Sequence, residues 1–189
     1  MKRTWFSIAL GGIVLAAGVQ RAGAQALVSS PVRFGLLGGA TTPLSTLSDV
    51  AKTGWHAGAL LDLGLPLVPL GFRIDGEWHQ FGTKQLADGS SSKQRVISGT
   101  LDAVYNLGAA PIVKPYLIAG VGLYNVHSTV DVPIVGEATN TQTKFGVNAG
   151  LGLRVQLTGF STFAEARWHD VFTKGNSIQM VPISVGFTF

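Results

Sequence analysis

The sequence predicts an all-β protein, a closed antiparallel barrel of eight strands that crosses a membrane. Three observations carry that prediction. First, the chain after its N-terminal segment repeats strand, connection, strand, with apolar residues alternating against polar or small ones at period two. Second, the strand count is even, and the connections alternate between long and polar and short and tight. Third, the chain stops inside a strand. In residues 179–189, Val181, Ile183, Val185, Phe187 and Phe189 share one parity, and Pro182, Ser184, Gly186 and Thr188 share the other. A final strand must still pair its backbone groups, and its natural partner is the first strand, which closes a barrel.

Composition agrees with a chain whose outer surface is not all wet. Of the 189 residues, 13% are charged, against about 25% in typical soluble proteins. Glycine is abundant at 25 residues and cysteine is absent. Without cysteine there is no disulfide, thiolate metal site, thiol nucleophile or lipid-modified N-terminal cysteine. The formal net charge of +4 is misleading. Lys2, Arg3 and Arg21 lie in a leader without acids, so the rest carries 14 − 3 = 11 bases against 10 acids. No basic run survives there, and nucleic acid is not an expected partner.

Residues 1–24 read as a cleaved signal peptide. Lys2 and Arg3 start it, an apolar stretch over residues 8–19 is too short to span a bilayer, and Ala22-Gly23-Ala24 is a small-x-small cleavage site. Residues 25–189 form the expected barrel domain. Its first strand covers residues 32–39, followed by a polar connection over 40–52. The second covers 53–64, with Trp55, Ala57, Ala59, Leu61 and Leu63 on one face, and a tight turn with Pro66 and Pro69 follows. The third covers 71–81, then a Gly/Ser-rich loop over 82–92. The fourth covers 93–107, ending at a turn over 108–111. The fifth covers 113–127, then a loop over 128–141. The sixth covers 142–156 with a turn at 157–159. The seventh covers 160–169 with a loop over 170–176, and the eighth covers 177–189.

Alternation alone also suits a soluble barrel with its apolar face inward. Three features turn the apolar face outward. The polar parity carries charges of both signs, namely Asp62, Arg73, Asp75, Glu77, Asp102, Lys144, Arg154, Glu165 and Arg167, which can neutralise one another in a lumen. The same parity carries Gly58, Gly120, Gly122, Gly146, Gly150, Gly152 and Gly186. Glycine weakens strands unless space is tight, and a narrow lumen full of long side chains is tight. Trp55, Trp78 and Trp168 sit on the apolar parity near strand ends, where a membrane barrel carries its aromatic girdle.

With these features the chain resembles the small eight-stranded bacterial outer-membrane barrels of the OmpA transmembrane-domain and OmpX type, over nearly its full length. The resemblance implies an outer-membrane location reached through the periplasm, short periplasmic turns and longer external loops. It implies lipid and lipopolysaccharide as surroundings, and a monomer. It also implies that the last strand, ending at Phe189, is read by the barrel-assembly machinery. OmpA itself adds a peptidoglycan-binding domain after the barrel, and with Phe189 as last residue no anchoring by that route is expected.

The expected function is structural or surface-interacting, with a filled polar lumen, exposed loops and no catalysis. The alternatives are binding or passage of a small hydrophobic or ionic solute, or a lipid A-modifying hydrolase. For a hydrolase, His127-Ser128 is adjacent in sequence, so the two side chains point to opposite faces and cannot form a nucleophile–base pair. No catalytic or cofactor residue is expected. Trp-His occurs three times, at residues 55–56, 78–79 and 168–169, which places each histidine inward near the external mouth. His56 and His79 are on neighbouring strands and form the candidate, weak metal site. His169 is expected across the barrel from them, out of reach.

Overall fold

The computed structural model of the chain describes residues 32–65, 67–85, 89–108, 112–132, 136–173 and 177–189. The expected leader lies outside the described residues. Eight long strands make the barrel: β1 (Val32–Leu44), β2 (Lys52–Gly64), β3 (Leu70–Gly82), β4 (Ser91–Asn106), β5 (Val113–Val132), β6 (Gly136–Gln156), β7 (Ser161–Phe172) and β8 (Ser177–Thr188). A one-turn helix, α1 (Leu47–Val50), sits between β1 and β2, and a two-residue strand, Lys84–Gln85, pairs with the start of β4. Each long strand pairs antiparallel with its sequence neighbours.

The expected closure is present. β1 and β8 pair antiparallel from Gly35↔Thr188 to Leu44↔Gln179. Beyond them, the Phe34 N–H donates to the Phe189 carbonyl at 3.0 Å and the Phe189 N–H returns the bond at 2.8 Å. The last residue is thus held by two backbone bonds, and the sheet has no open edge between β1 and β8.

The apolar parity faces out. Leu151 is 62% exposed and Val185 64%, whereas Tyr116 and Tyr124 on the opposite parity are fully buried. A soluble barrel would reverse these values. The tight turns after β4 and β6 each use a glycine in the left-handed region, Gly108 at φ +86° and Gly159 at φ +87°, where a Cβ is disfavoured.

The external connections differ from the expectation. The stretch over residues 128–141, expected to be a loop, is mostly strand. β5 and β6 pair without interruption out to Val132↔Gly136. β1 likewise runs on to Leu44 and β7 to Phe172. The reason is that apolar alternation ends at the membrane surface but backbone pairing need not. Thr129, Val130, Thr139, Thr141 and Thr143 are β-branched residues that favour strands on polar surfaces too.

Candidate functional site

Every inward side chain must fit a narrow cylinder, and the sequence arranges this by setting large residues beside glycines. A Cβ at Gly152 would overlap the Tyr116 ring, one at Gly186 the Phe163 ring, and one at Gly146 would come within 2.9 Å of Tyr124. These overlaps give the lumen glycines the tight-space reason expected of them.

Around the middle of the lumen the charges form one connected network. Arg167 is its hub. Its Nη1 lies 2.8 Å from Asp75 Oδ2 and 3.2 Å from Asp102 Oδ2, its Nη2 is 3.1 Å from Glu77 Oε1, and its Nε is 2.5 Å from Glu165 Oε1. Arg73 links Glu165 Oε2 at 2.9 Å to Asp62 Oδ1 at 2.7 Å. Arg154 reaches the other oxygen of Asp62 at 2.7 Å, and Arg33 stands 3.7 Å from it near the periplasmic end. The Tyr116 hydroxyl donates to Glu165 at 2.6 Å and Asn148 to Asp102 at 2.7 Å. Ions this deep cost several kcal/mol each to dehydrate, so they persist only when paired and hydrogen-bonded. The mixed charges of the polar parity therefore neutralise one another, as expected. Lys144 is the exception, half-buried at the upper end of β6.

Towards the external end lie the histidines. Thr41 Oγ1 is 3.0 Å from Nδ1 of both His56 and His79, so it donates to one ring and accepts from the other. His56 Nε2 is 2.8 Å from Ser184 Oγ. The two rings stack with centroids 5.3 Å apart. His169 corrects the expectation that it lies out of reach, because its ring centroid is 6.3 Å from that of His79. The lumen is narrow enough for side chains from β3 and β7 to meet. His169 Nδ1 takes the Tyr124 hydroxyl at 2.9 Å, while its Nε2 has no hydrogen-bond partner.

None of these rings is at an open mouth. Leu47, in α1, and Ala51, which caps it, pack with Phe81, Val96, Val126, Val171 and Met180 into a buried apolar cluster at the external end. The sequence reading missed this plug. Its signal was present, since Phe81, Val96, Val126, Val171 and Met180 are apolar residues on the lumen parity. Among the described residues, no group of three or more histidines and acids is placed to hold a metal ion. At the other end, a void of about 20 Å³ beside Arg33, Asp62 and Arg154 has room for about one water.

His127 and Ser128 have separate partners on opposite faces, Thr141 and Gln94. They form no catalytic pair. Above Gly146, where β6 leaves β7, β6 continues beside β5, and β5 stays paired with β4 out to Ser91↔Asp131. From Asn140 to Lys144, β6 pairs with β5 on one side and has no strand beside it on the other among the described residues.

A family model described as the outer membrane protein beta-barrel domain matches residues 12–189. No curated protein matches the chain in sequence. Among solved structures, the chain is similar to Neisserial surface protein A, at 18% identity with a TM-score of 0.62, covering 84% of this chain and 96% of that one. A major outer membrane protein of Thermus thermophilus is 13% identical with a TM-score of 0.60, covering 84% and 98%. The N-terminal barrel of Pseudomonas aeruginosa OprF is 18% identical with a TM-score of 0.50, covering 84% and 96%. At these identities the structural likeness concerns the fold.

Proposed function

Because the chain belongs to the outer-membrane protein beta-barrel domain family, we propose that it is a non-catalytic, non-conducting barrel that presents a binding edge outside the cell. The observation that carries this reading is the β5–β6 hairpin. Its strands run on past β7 as a polar ribbon that β4 joins along β5, and on β6 residues 140–144 keep one backbone edge without a strand neighbour among the described residues. Such an edge is a template for an added strand. Main-chain bonds supply affinity, and alternate side chains supply selectivity. The partner that fits is an extended peptide segment of an extracellular protein.

The filled lumen supports the same reading by elimination. Solute passage would require breaking the Arg167 network and the apolar plug together. The experiment is a selection of displayed extended peptides against the barrel in nanodiscs, repeated on Thr143→Pro. Proline removes one edge donor and resists strand addition. Selected peptides should lose tenfold or more in affinity on the variant while the barrel stays folded. Peptides that bind both equally well, or a hairpin that resists labelling from outside intact cells, would defeat the proposal.

A further inference from the structure

The outward surface of β3 to β6 is not uniform. Across this face, neighbouring strands place outward residues in rows. One row reads Ala59, Gly76, Gly99, Leu123, Phe145. Gly76 and Gly99 stand side by side, and a Cβ at either would meet nothing within 4 Å. Gly99, with Ile74, Leu101, Val121, Leu123 and Phe145, bounds an open apolar groove of about 310 Å³ on the lipid-facing side, and Gly76 leaves the strand beside it bare.

Above this groove the chemistry changes. The next outward residues on β4 are Ile97, Arg95 and Lys93. The Arg95 guanidinium lies 4.8 Å from the centroid of the Trp78 ring, a cation–π contact that fixes it at the girdle. Its Nε has no hydrogen-bond partner. His127 on β5 is directly opposite Arg95, and Thr129 is opposite Lys93. The cross-strand polar pairs Asn125–Thr143 and His127–Thr141 lie beside them, bonded at 3.1 and 2.7 Å. Asp131 is the next outward residue beyond Thr129 and bounds the basic face from above. Gly99 to Arg95 is four residues, about 13 Å along a strand, and Lys93 lies about 7 Å further. Strands tilt by roughly 40°, so the cations stand on the order of 10–15 Å above the groove floor. That is the offset between a lipid phosphate and the middle of its acyl chain.

We infer that this face is a lipopolysaccharide-binding site. One acyl chain lies in the groove over Gly76 and Gly99, phosphates meet Arg95 and Lys93, and sugar hydroxyls meet the Thr and Asn pairs of β5 and β6. The inference locates on the barrel a partner that the sequence only implied, and it takes the hairpin end as external. Charge complementarity decides the occupant. A second barrel would bring the same cations against these, whereas a phosphorylated glycolipid brings anions at the right depth. The width of the polar face, two strands and three basic positions, exceeds a single-phosphate headgroup.

The test is native mass spectrometry of the purified barrel in detergent, titrated with lipopolysaccharide. Lys93→Ala/Arg95→Ala should weaken retention about tenfold or more, since charge-assisted hydrogen bonds are about twice as strong as neutral ones. Gly99→Leu puts an apolar side chain into the groove, from a position where a Cβ meets nothing within 4 Å, and leaves the charge unchanged. It should weaken retention several-fold while heat-modifiable gel mobility stays that of a folded barrel. Lys114→Ala, at the other rim, should bind as the wild type does. Wild-type retention by both site variants would overturn the inference. Loss in the charge variant alone would overturn the chain-binding groove. Equal retention of phosphatidylglycerol would overturn the choice of lipopolysaccharide.

Discussion

Replacing Arg167 with Met should destabilise the barrel far more than replacing Arg73 with Met, although both arginines are buried in the same lumen. Arg167 touches four carboxylates, those of Asp75, Glu77, Asp102 and Glu165. For the first three it is the only arginine or lysine within ion-pair distance among the described residues. Arg73 touches Asp62 and Glu165, and each of these keeps another arginine, Arg154 or Arg167. Removing one partner of a buried pair costs about 3–5 kcal/mol because the remaining charge is uncompensated. Arg167→Met leaves three such carboxylates and should reach at least the upper end of that range. Arg73→Met strands none and should cost about half as much. Adding Asp75→Asn and Glu77→Gln to Arg167→Met removes two stranded charges and should recover about 2 kcal/mol or more. The assay is urea unfolding in lipid vesicles, followed by gel mobility and tryptophan fluorescence. Equal losses for the two single variants, or no recovery in the triple variant, would refute the account of the lumen as a charge network centred on Arg167.

Gly152→Ala should cost about 1–3 kcal/mol by forcing Tyr116 off its site, and Tyr116→Leu in the same chain should restore part of it in the unfolding assay. The wild-type barrel should show no steady porin-sized current in planar bilayers, and Leu47→Asp, which breaks the apolar cluster but leaves the Arg167 network in place, should stay equally silent. Deleting Phe189 or changing it to Asp should impair membrane insertion more than changing Thr188, because Phe189 is 64% exposed to lipid and Thr188 is buried; membrane yields after fractionation measure this. Zinc should bind the wild type weakly at most, with the His56 and His79 nitrogens already engaged on Thr41 and Ser184, and tight binding that survives His56→Ala and His79→Ala in a titration would exclude this pair.

The faces of the barrel were legible because period-two alternation is a local property. Closure was legible because a terminal strand has to pair. The strand ends were not, because pairing outlasts the apolar signal once strands leave the membrane. The β5–β6 hairpin shows this, with Thr129 paired to Thr139 in a stretch whose composition reads as loop. The histidine cluster was half legible. The Trp-His repeats placed three rings inward at one end, but whether His169 meets His79 depends on lumen width, which no single strand encodes. The pairing of Tyr116 with Gly152 and of Phe163 with Gly186 is the signature of that width. It becomes readable only once register is known.

Sealing both the charges and the external end has a consequence for where function can evolve. A lumen substitution disturbs a network in which Asp62 alone answers to Arg33, Arg73 and Arg154, so most changes there cost stability before they create a site. The outside has no such constraint. Gly76 and Gly99 have free space above them, and Asn125 and His127 bond across the hairpin to Thr143 and Thr141. The two outward surfaces are also joined. β5 carries His127 at the lipid headgroup level and continues as the hairpin only a few residues later, to Val132. A lipid seated on Arg95 and His127 would brace the base of the ribbon, and an edge held still loses less entropy when a strand is added. Peptide affinity measured in lipopolysaccharide nanodiscs should therefore exceed that in phosphatidylcholine nanodiscs, and Lys93→Ala/Arg95→Ala should abolish the difference.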